Sequence, residues 1–435
     1  MSTVEDLSRK DFMDRPSLES LQLQRLQTIV AHAYANSPFY TRAFDAAGVK
    51  PSDLKSLSDL SKFPFTAKTD LRDNYPFGLN AVPNSEIRRV HASSGTTGKP
   101  IVVTYTQGDL ETWAETAARV FQMGGVTNND IALISYGYSL FTGGMGAHSG
   151  MERAGATVIP MGGGNTEKQL MLIKDLGVTV ICCTPSFFIH LMEVAAEKGF
   201  DFRKSTLRHG FFGAEPWSEE MRQRIEAESG VKAHDIFGLS EIMGPGVAGD
   251  CDCRNGLHIF EDHYYPEIVD PATGEVLPPG TEGELVLTTM DKMGMPLLRY
   301  RTHDLTTLHY EACPCGRTLV RMDRIRRRSD DMLIIRGVNL FPSQVESLLL
   351  EFEGIEPHYL LVVTREQSMD ELEIQVEVTQ QVFSDEVKAL ESLRNRIRER
   401  VKGMIGINAK ITLVEPGTIA RSAGKTKHVL DMRKA

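Results

Sequence analysis

HASSGTTGKP, residues 91–100, sets two glycines, four hydroxyl side chains and a lysine within ten residues. Such a loop can offer backbone N–H groups and hydroxyls to phosphate oxygens. Its spacing then decides which fold can carry it. A Walker-type loop needs four residues between its glycines and a Ser or Thr after the lysine to ligate Mg2+. Here only Thr96 and Thr97 separate Gly95 from Gly98, and Pro100 follows Lys99. The chain continues as IVVTYT, a strand pattern, where a Walker loop would open a helix whose N-terminus holds phosphate. A phosphotransferase built on this loop is therefore disfavoured. What remains is a turn between strands in which Ser93, Ser94, Gly95, Thr96, Thr97, Gly98 and Lys99 can hold phosphate, and spacing alone does not name the reaction.

Working outward, residues 17–34 read as a helix, with Leu18, Leu21, Leu26, Ile29, Val30 and Ala33 on one face. From about 110 to 240, short apolar runs alternate with helical stretches: IALIS (131–135), ATVIP (156–160), VTVICC (178–183), RHGFFG (208–213) and KAHDIFG (232–238). That alternation predicts α/β layers with largely parallel strands. Between 266 and 310 the pattern becomes hairpin-like, as in PEIVD, the turn PATGEVLPPG and ELVLTT. Beyond Asp330 a self-contained βαββαβ order follows, which fits a ferredoxin-like unit. Its parts are strand 332–336, helix PSQVESLLLEFE, strands HYLLVVT and ELEIQVEV, helix 384–402 and strand 409–414. The expected fold class is thus α/β: a large multi-subdomain N-terminal domain over 1–329 and a smaller ferredoxin-like α+β C-terminal domain over 330–435. The tail from Glu415 reads as a loop outside that small core.

A net charge of −10 argues against non-specific binding to nucleic acid or anionic membrane, both of which want a basic surface. The basic run RMDRIRRRSD (321–330) suits anchoring of phosphates better than wrapping of DNA. No apolar run reaches the roughly 20 residues that span a bilayer. The opening MSTVEDLSRKDFMDRP lacks the apolar core of a secretory signal, so a cytoplasmic protein is expected. Six cysteines in such a chain point to free, catalytic or metal-bound thiols before disulfides. Cys182 and Cys183 lie within an apolar strand and read as inert core.

Further stretches occur in a telling order: FGAEP (212–216), DIFGLSE (235–241), RYRTHD (299–304), RRSDDMLIIRG (327–337) and RSAGKTK (421–427). Together with the 91–100 loop they resemble the adenylate-forming enzymes, the superfamily of acyl-CoA synthetases, peptide-synthetase adenylation domains and luciferases. SYGYSLFTGGMGAHSGMERAGATVIPMGGGNT (135–166) and SDDMLIIRGVNLFPSQVE (329–346) are similar to its phenylacetate–CoA ligase branch. The likeness runs over essentially the whole chain. It implies the adenylate-forming enzyme fold with a mobile C-terminal domain, and a reaction in two steps. A carboxylate attacks the α-phosphate of ATP and expels pyrophosphate; the thiol of coenzyme A then attacks the acyl-adenylate and releases AMP. An anion meeting a polyanion needs positioning and charge neutralisation above all.

The resemblance also implies roles. Ser93 to Lys99 would hold the β- and γ-phosphates. Ala214, Glu215 and Pro216 would lie against adenine and ribose, with Asp235, Ile236 and Gly238 framing Phe237, which would stack on adenine. Ser240 would reach the α-phosphate, and Glu241 would ligate Mg2+, a hard cation suited to carboxylate. Relatives often carry Tyr and Thr at the positions of Phe237 and Ser240; stacking and a hydroxyl both survive. Asp304 would accept hydrogen bonds from the ribose hydroxyls, Ile325 would flank the nucleotide, and Arg328 would contact ribose and phosphate. Arg327 stands where most relatives have Gly. Asp330 would be the hinge, and Lys425 would bridge substrate carboxylate and α-phosphate, with Lys427 a nearby competitor. Arg336 and Gly337 are candidates for the coenzyme A site.

For the acid, the resemblance implies an apolar pocket walled by Tyr136 and Phe141, with Gly143, Gly144 and Ala147 leaving room for a ring and Pro245 and Ile236 lining the same cavity. Without it these aromatic residues read as core. Cys251, Cys253, His258, Cys313 and Cys315, in CDCRNGLH and CPCGR, offer five ligands for a tetrahedral zinc, or free thiols. Related ligases select Cys251, His258, Cys313 and Cys315, leaving Cys253 spare and the zinc structural. His148 and His303 read as structural hydrogen-bonders. The expected partners are small molecules (arylacetic acid, ATP and coenzyme A), and a homodimer stays open. The rivals are activation of another aromatic acid, transfer to a carrier-protein thiol, and a nucleotide-binding protein that has lost catalysis.

Overall fold

The computed structural model describes residues 7–92, 100–325, 327–329, 333–335, 338–340, 342–366, 369–383, 387–405, 408–420 and 428–433. The chain divides into two compact units. One holds Met1–Cys183, Gly199–Ala214 and Val231–Arg324; the other holds Thr184–Lys198, Glu215–Gly230 and Ile325–Ala435.

The first unit is organised by a sheet of nine strands among the described residues. In spatial order they are Leu308–His309, Arg321–Met322, Leu257–Ile259, Ala248–Asp250, Lys232–Phe237, His209–Phe212, Val180–Cys183, Ile131–Ile134 and Thr157–Ile159. The last five run parallel and correspond to the five apolar runs read from the sequence. Val180–Cys183 is buried at every residue, as expected of a strand covered on both faces. From Lys232–Phe237 outward the pairing turns antiparallel. Tyr264–Val269, Gly283–Thr289 and Tyr300–Thr306 pair antiparallel in that order, the predicted hairpin region. Ile87–Ala92 pairs antiparallel with Val102–Thr106, so a strand stands on each side of residues 93–99, which lie outside the described residues.

Two helices of this unit are tied to segments far along the chain. Arg15–Asn36 starts where the Asp14 carboxylate accepts the Ser17 N–H at 3.0 Å. Its buried face is the predicted one except that Gln22, not Leu21, is buried, because the Gln22 amide donates to the Glu261 carbonyl at 3.0 Å. Gln107–Met123 opens on a reciprocal cap: Thr106 Oγ1 accepts from the Asp109 N–H, and Asp109 accepts from the Thr106 N–H at 2.8 Å. Asp109 also accepts the N–H groups of Met293 and Gly294 at 2.7 and 3.0 Å, fixing the loop beyond Gly283–Thr289.

In the second unit the strand order is Lys410–Val414, Met369–Val378, Ile355–Glu366, Val429–Asp431. Leu361, Val363, Ile374, Val376 and Ile397 form the centre of its core, with helices Pro342–Leu349 and Val387–Ile405. The strand and helix succession is the one read from the sequence, with two differences. Leu333–Ile335 pairs with Val338–Leu340 in a separate two-stranded ribbon and does not join the four-stranded sheet. The edge of that sheet beside Ile355–Glu366 is taken by Val429–Asp431, within the tail expected to be a loop, which pairs parallel with it. The His428 ring stacks on Tyr359 with centroids 4.3 Å apart, and the His428 carbonyl accepts the Leu361 N–H at 2.8 Å. Helices Pro185–Glu197 and Glu219–Ser229 belong to this unit: His358 meets Glu193 at 3.0 Å, and Arg224 meets Glu356 at 2.9 Å. Among the described residues, no helix is long and apolar enough to cross a membrane.

Candidate functional site

Strand Lys232–Phe237 delivers the DIFGLSE segment at its C-terminal end, the usual place for a ligand in a parallel sheet. Asp235 is buried and accepts from Arg324 Nε at 2.8 Å. Ile236 is buried and Phe237 half-buried. The chain then folds back tightly: a Cβ on Gly238 would stand 2.5 Å from the Gly244 Cα, so neither position admits a side chain. Inside this turn Ser240 and Glu241 are 8% and 7% exposed, a hydroxyl and a carboxylate side by side and nearly dry.

Three carbonyls of the turn are held by buried donors from elsewhere. The Tyr105 hydroxyl donates to the Ser240 carbonyl at 2.9 Å. The Lys292 ammonium donates to the Glu241 carbonyl at 2.8 Å. Trp113 Nε1 donates to the Pro245 carbonyl at 2.8 Å. Tyr105 and Trp113 stack at 5.1 Å, and Lys292 Nζ lies 4.7 Å from the Tyr105 ring centroid. Burial pushes Lys292 down to about 8, against the pull of Asp109 and Glu241. His91 abuts both rings edge-on and shares the Leu140 carbonyl at 3.0 Å; burial pushes its imidazole below the usual range. Sequence reading missed Tyr105, Trp113, Thr142, Lys292 and Arg324. Thr142, adjacent to Phe141, and Arg324, adjacent to Ile325 in the basic run 321–330, lay beside residues already singled out; Tyr105, Trp113 and Lys292 did not.

The predicted acyl pocket residues also come together. Thr142 Oγ1 and Ser240 Oγ are 3.1 Å apart, joining the start of helix Thr142–Arg153 to the turn. A Cβ on Gly143 would lie 3.5 Å from the Tyr136 ring and 3.6 Å from the Phe141 ring, so this glycine sits between the two aromatics. Gly144 and Ala147 are buried on the same helix, and Pro245 packs against Gly146. Tyr136 donates its hydroxyl to the Cys183 carbonyl at 2.7 Å, which fixes its ring and occupies its polar end. Phe141 is 37% exposed at the helix start. His148 binds Tyr138 and Glu152, each at 3.1 Å, and His303 lies 3.5 Å from Glu284, the structural parts expected of them.

Asp304 is buried on the inward face of Tyr300–Thr306, and its N–H donates to Thr302 Oγ1 at 3.0 Å. Arg299 and His303 nearby take positive φ, 47° and 63°, as does Ala214 at 71°; such values in non-glycine residues mark backbone held by its surroundings. Gly213, before Ala214, would place a Cβ 2.4 Å from the Ile236 carbonyl, so the two motifs run side by side. Glu215, Pro216, Ile325 and Arg328 belong to the second unit. There Glu215 accepts the Ser186 N–H at 2.8 Å, and Ile325 and Arg328 are half-buried. Ser93, Ser94, Gly95, Thr96, Thr97, Gly98, Lys99, Asp330, Arg336, Gly337, Lys425 and Lys427 lie outside the described residues.

Apart from this region, Cys251, His258, Cys313 and Cys315 bring one ligand atom each within 4.8 Å of the others. Cys251 and Cys313 sulfurs are 3.8 Å apart, and Cys315 Sγ is 3.5 Å from His258 Nε2. Tetrahedral zinc with Zn–S of about 2.3 Å and Zn–N of about 2.0 Å sets these edges at roughly 3.8 and 3.5 Å. His258 Nδ1 faces the Leu319 carbonyl at 3.4 Å, leaving Nε2 toward the thiols, and burial pushes the ring down to about 4, the neutral ligating form. Cys253 is exposed and outside the cluster. Cys182 and Cys183 are fully buried in their strand.

Comparison with known proteins gives concordant results. A family model described as AMP-binding enzyme matches residues 19–293, and one described as AMP-binding enzyme C-terminal domain matches 337–433. The chain is 51% identical over 431 residues to the phenylacetate-coenzyme A ligase of Aromatoleum evansii, covering 98% of this chain and 97% of that one. It is 51% identical over 436 residues to the phenylacetate-coenzyme A ligase of Thermus thermophilus, covering 97% and 98%. A crystal structure of a 2-hydroxyisobutyryl-CoA ligase in the postadenylation state, in complex with R3-HIB-AMP, matches with a TM-score of 0.93 and 32% identity, covering 100% of this chain and 94% of that one.

Proposed function

The chain belongs to the AMP-binding enzyme family, among its phenylacetate–CoA ligases, and we propose that it joins phenylacetate or a close arylacetate to coenzyme A through an acyl-adenylate. The carboxylate oxygen attacks the α-phosphorus of ATP and the bond to pyrophosphate breaks. The thiol of coenzyme A, giving up its proton, then attacks the acyl carbon and AMP leaves with the former carboxylate oxygen. The observation that carries this reading is the Ser240–Glu241 turn: a buried hydroxyl and carboxylate next to a helix whose first residues frame an aromatic-walled pocket.

Within this proposal each residue has a task. Glu241 and Ser240 present hard oxygen donors, so Glu241 fits Mg2+, and the ion when bound would neutralise phosphate charge. Thr142 orients the Ser240 hydroxyl toward the α-phosphate. Phe237, Ala214, Glu215, Pro216, Asp304, Ile325 and Arg328 receive the nucleoside, and Ser93 to Lys99 the outer phosphates. Gly143 leaves room for an aryl ring beside Tyr136 and Phe141; Gly144, expected to do the same, instead lets the helix pack on the backbone of Gly137, whose carbonyl a Cβ there would meet at 2.5 Å. An edge-to-face contact favours a ring over an alkyl chain by only ~0.5–1.5 kcal/mol beyond area burial, so pocket shape carries most of the selection. The 330–435 domain turns about Asp330 to bring Lys425 to the reacting carboxylate. The proposal also includes a cytoplasmic location and a homodimer, the latter testable by solution mass.

The Cys251, His258, Cys313 and Cys315 cluster has the donor chemistry and dimensions of a structural zinc site, closed by four protein ligands. Elemental analysis of protein purified without chelator is expected to find about one zinc per chain. No metal at that level would return the cluster to free thiols.

The central test is pyrophosphate and AMP release from ATP with a panel of arylacetic and alkyl acids, with and without coenzyme A. Pyrophosphate formation that depends on an arylacetate is expected, and its absence with every acid overturns the reading. Lys425→Ala removes a charged hydrogen bond worth ~1.5–3 kcal/mol, so adenylation should fall at least about tenfold. Thioester formation from supplied acyl-adenylate should persist; equal loss in both steps contradicts the role given to Lys425.

A further inference from the structure

The turn that carries Ser240 and Glu241 has few local means of holding its shape. Gly238 and Gly244 touch through their backbones, and the internal hydrogen bonds run from the Ile242 and Gly244 N–H groups to the Leu239 carbonyl at 3.2 and 2.8 Å. The carbonyls of Ser240 and Glu241 point away from these, each to a single buried donor. For Ser240 that donor is Tyr105, fully buried in strand Val102–Thr106. For Glu241 it is Lys292, with no exposure to solvent at all. Lys292 is itself held at the base of its loop, because Asp109 takes the next two backbone N–H groups, those of Met293 and Gly294.

An ammonium is a costly way to satisfy a carbonyl. Among the described residues, Nζ has one hydrogen-bond acceptor, the Glu241 carbonyl, and otherwise the Tyr105 ring face. A neutral donor would fill the structural need without desolvating a charge. What the charge adds is a short, strong hydrogen bond and a direct electrostatic hold on the residue whose carboxylate projects from the same peptide. We propose that Lys292 is a positioning residue for adenylation: with Tyr105 it clamps the Ser240–Glu241 backbone so that hydroxyl and carboxylate keep one geometry before any ligand arrives. This rests on the adenylation roles of Ser240 and Glu241, and it adds the device that preorganises them.

The test joins a ligand-free measurement to kinetics. Lys292→Met keeps length and apolar bulk while removing the donor and the charge. Tyr105→Phe keeps the ring that Trp113 stacks on and removes only the hydroxyl. In metal-free and nucleotide-free protein, amide hydrogen exchange of peptides spanning 238–246 is expected to quicken at least about tenfold in Lys292→Met and severalfold in Tyr105→Phe. Peptides from Val180–Cys183 should not change. In pyrophosphate release, Lys292→Met should lower kcat at least about tenfold and raise the Mg2+ concentration for half-maximal rate, with the KM for phenylacetate within about twofold. Folded variants that exchange at 238–246 like the wild type overturn the proposal. So does faster exchange spread over the whole first unit, which would make Lys292 a general structural support. If Lys292→Met does not fold, the Tyr105→Phe exchange pattern decides by the same criteria. Glu241→Gln separates the two layers: an unaltered Mg2+ requirement there removes the role given to Glu241, while the exchange data still judge the clamp.

Discussion

Of the buried cations in the first unit, Arg119 at 1% exposure and Lys292 at 0% are housed in opposite ways. Arg119 is matched bond for bond. Its Nε and Nη2 donate to Asp11 at 3.0 and 2.6 Å, its Nη1 reaches both Asp262 oxygens at 3.1 and 2.9 Å, and its plane lies over Phe260 at 4.3 Å. The lattice continues through His263, which meets Asp262 at 3.0 Å and Asp291 at 2.6 Å, and through Arg25 to Asp291 at 2.9 Å. Lys292 has one carbonyl and one ring face. A charge fully compensated by fixed partners knits distant segments together, here residues 11, 119 and 262. A charge left half-compensated beside a carboxylate destabilises its surroundings and is explained better by a task than by architecture.

The comparison breaks first, and with the largest expected effect, at Arg119. Arg119→Met leaves Asp11 and Asp262 buried without their main partner, and removing one member of such a pair costs about 3–5 kcal/mol. Urea denaturation should show that loss, while kcat per folded molecule stays close to wild type. Lys292→Met should invert the pattern, with a large fall in kcat and a small change in stability, because the lost hydrogen bond is offset by relief from burying an ammonium. If Arg119→Met proves as damaging to turnover as Lys292→Met, the division between an architectural and a functional buried charge fails.

How far sequence alone could have seen this division depends on distance along the chain. The five parallel strands were legible because each is a short apolar run bounded by turn residues, a purely local pattern. Gly238 and the pocket glycines were marked only because they stand within the motifs that carry the resemblance; the turn that Gly238 makes against Gly244 was not read from the sequence. Lys292 was not legible: the residues that give it meaning are at 105, 109 and 241, and nothing in TTMDKMGMP distinguishes a buried lysine from a solvated one. Gln22 was missed for a related reason, since its burial depends on a carbonyl at 261. Val429–Asp431 escaped because three residues among glycine and lysine carry no period, and its partner strand lies some seventy positions upstream. The zinc-type cluster was legible by residue type as five candidates and through the resemblance as four, and the fold brings those same four, from 251 to 315, within reach of one another.

A smaller effect sharpens the same contrast through pH. Burial alone would push His263 down, but Asp262 and Asp291 prevail and lift it to about 10, so the native state keeps its proton where the unfolded chain has lost it. A raised histidine contributes stability that is whole below the unfolded value near 6.5 and is lost as pH climbs toward 10. At 1.36 kcal/mol per pH unit, the loss between pH 6.5 and 8 is about 2 kcal/mol at most. Lys292 should lean the other way: its native state sheds a proton near 8, the unfolded chain only near 10.4, and stability rises across that window. Thermal melts of wild type and His263→Gln across pH 6 to 9 separate the two. The variant should start less stable at pH 6 and the curves should converge with rising pH, since only the wild type has a protonated ring to lose. Curves that stay parallel would mean that His263 is neutral in its pocket.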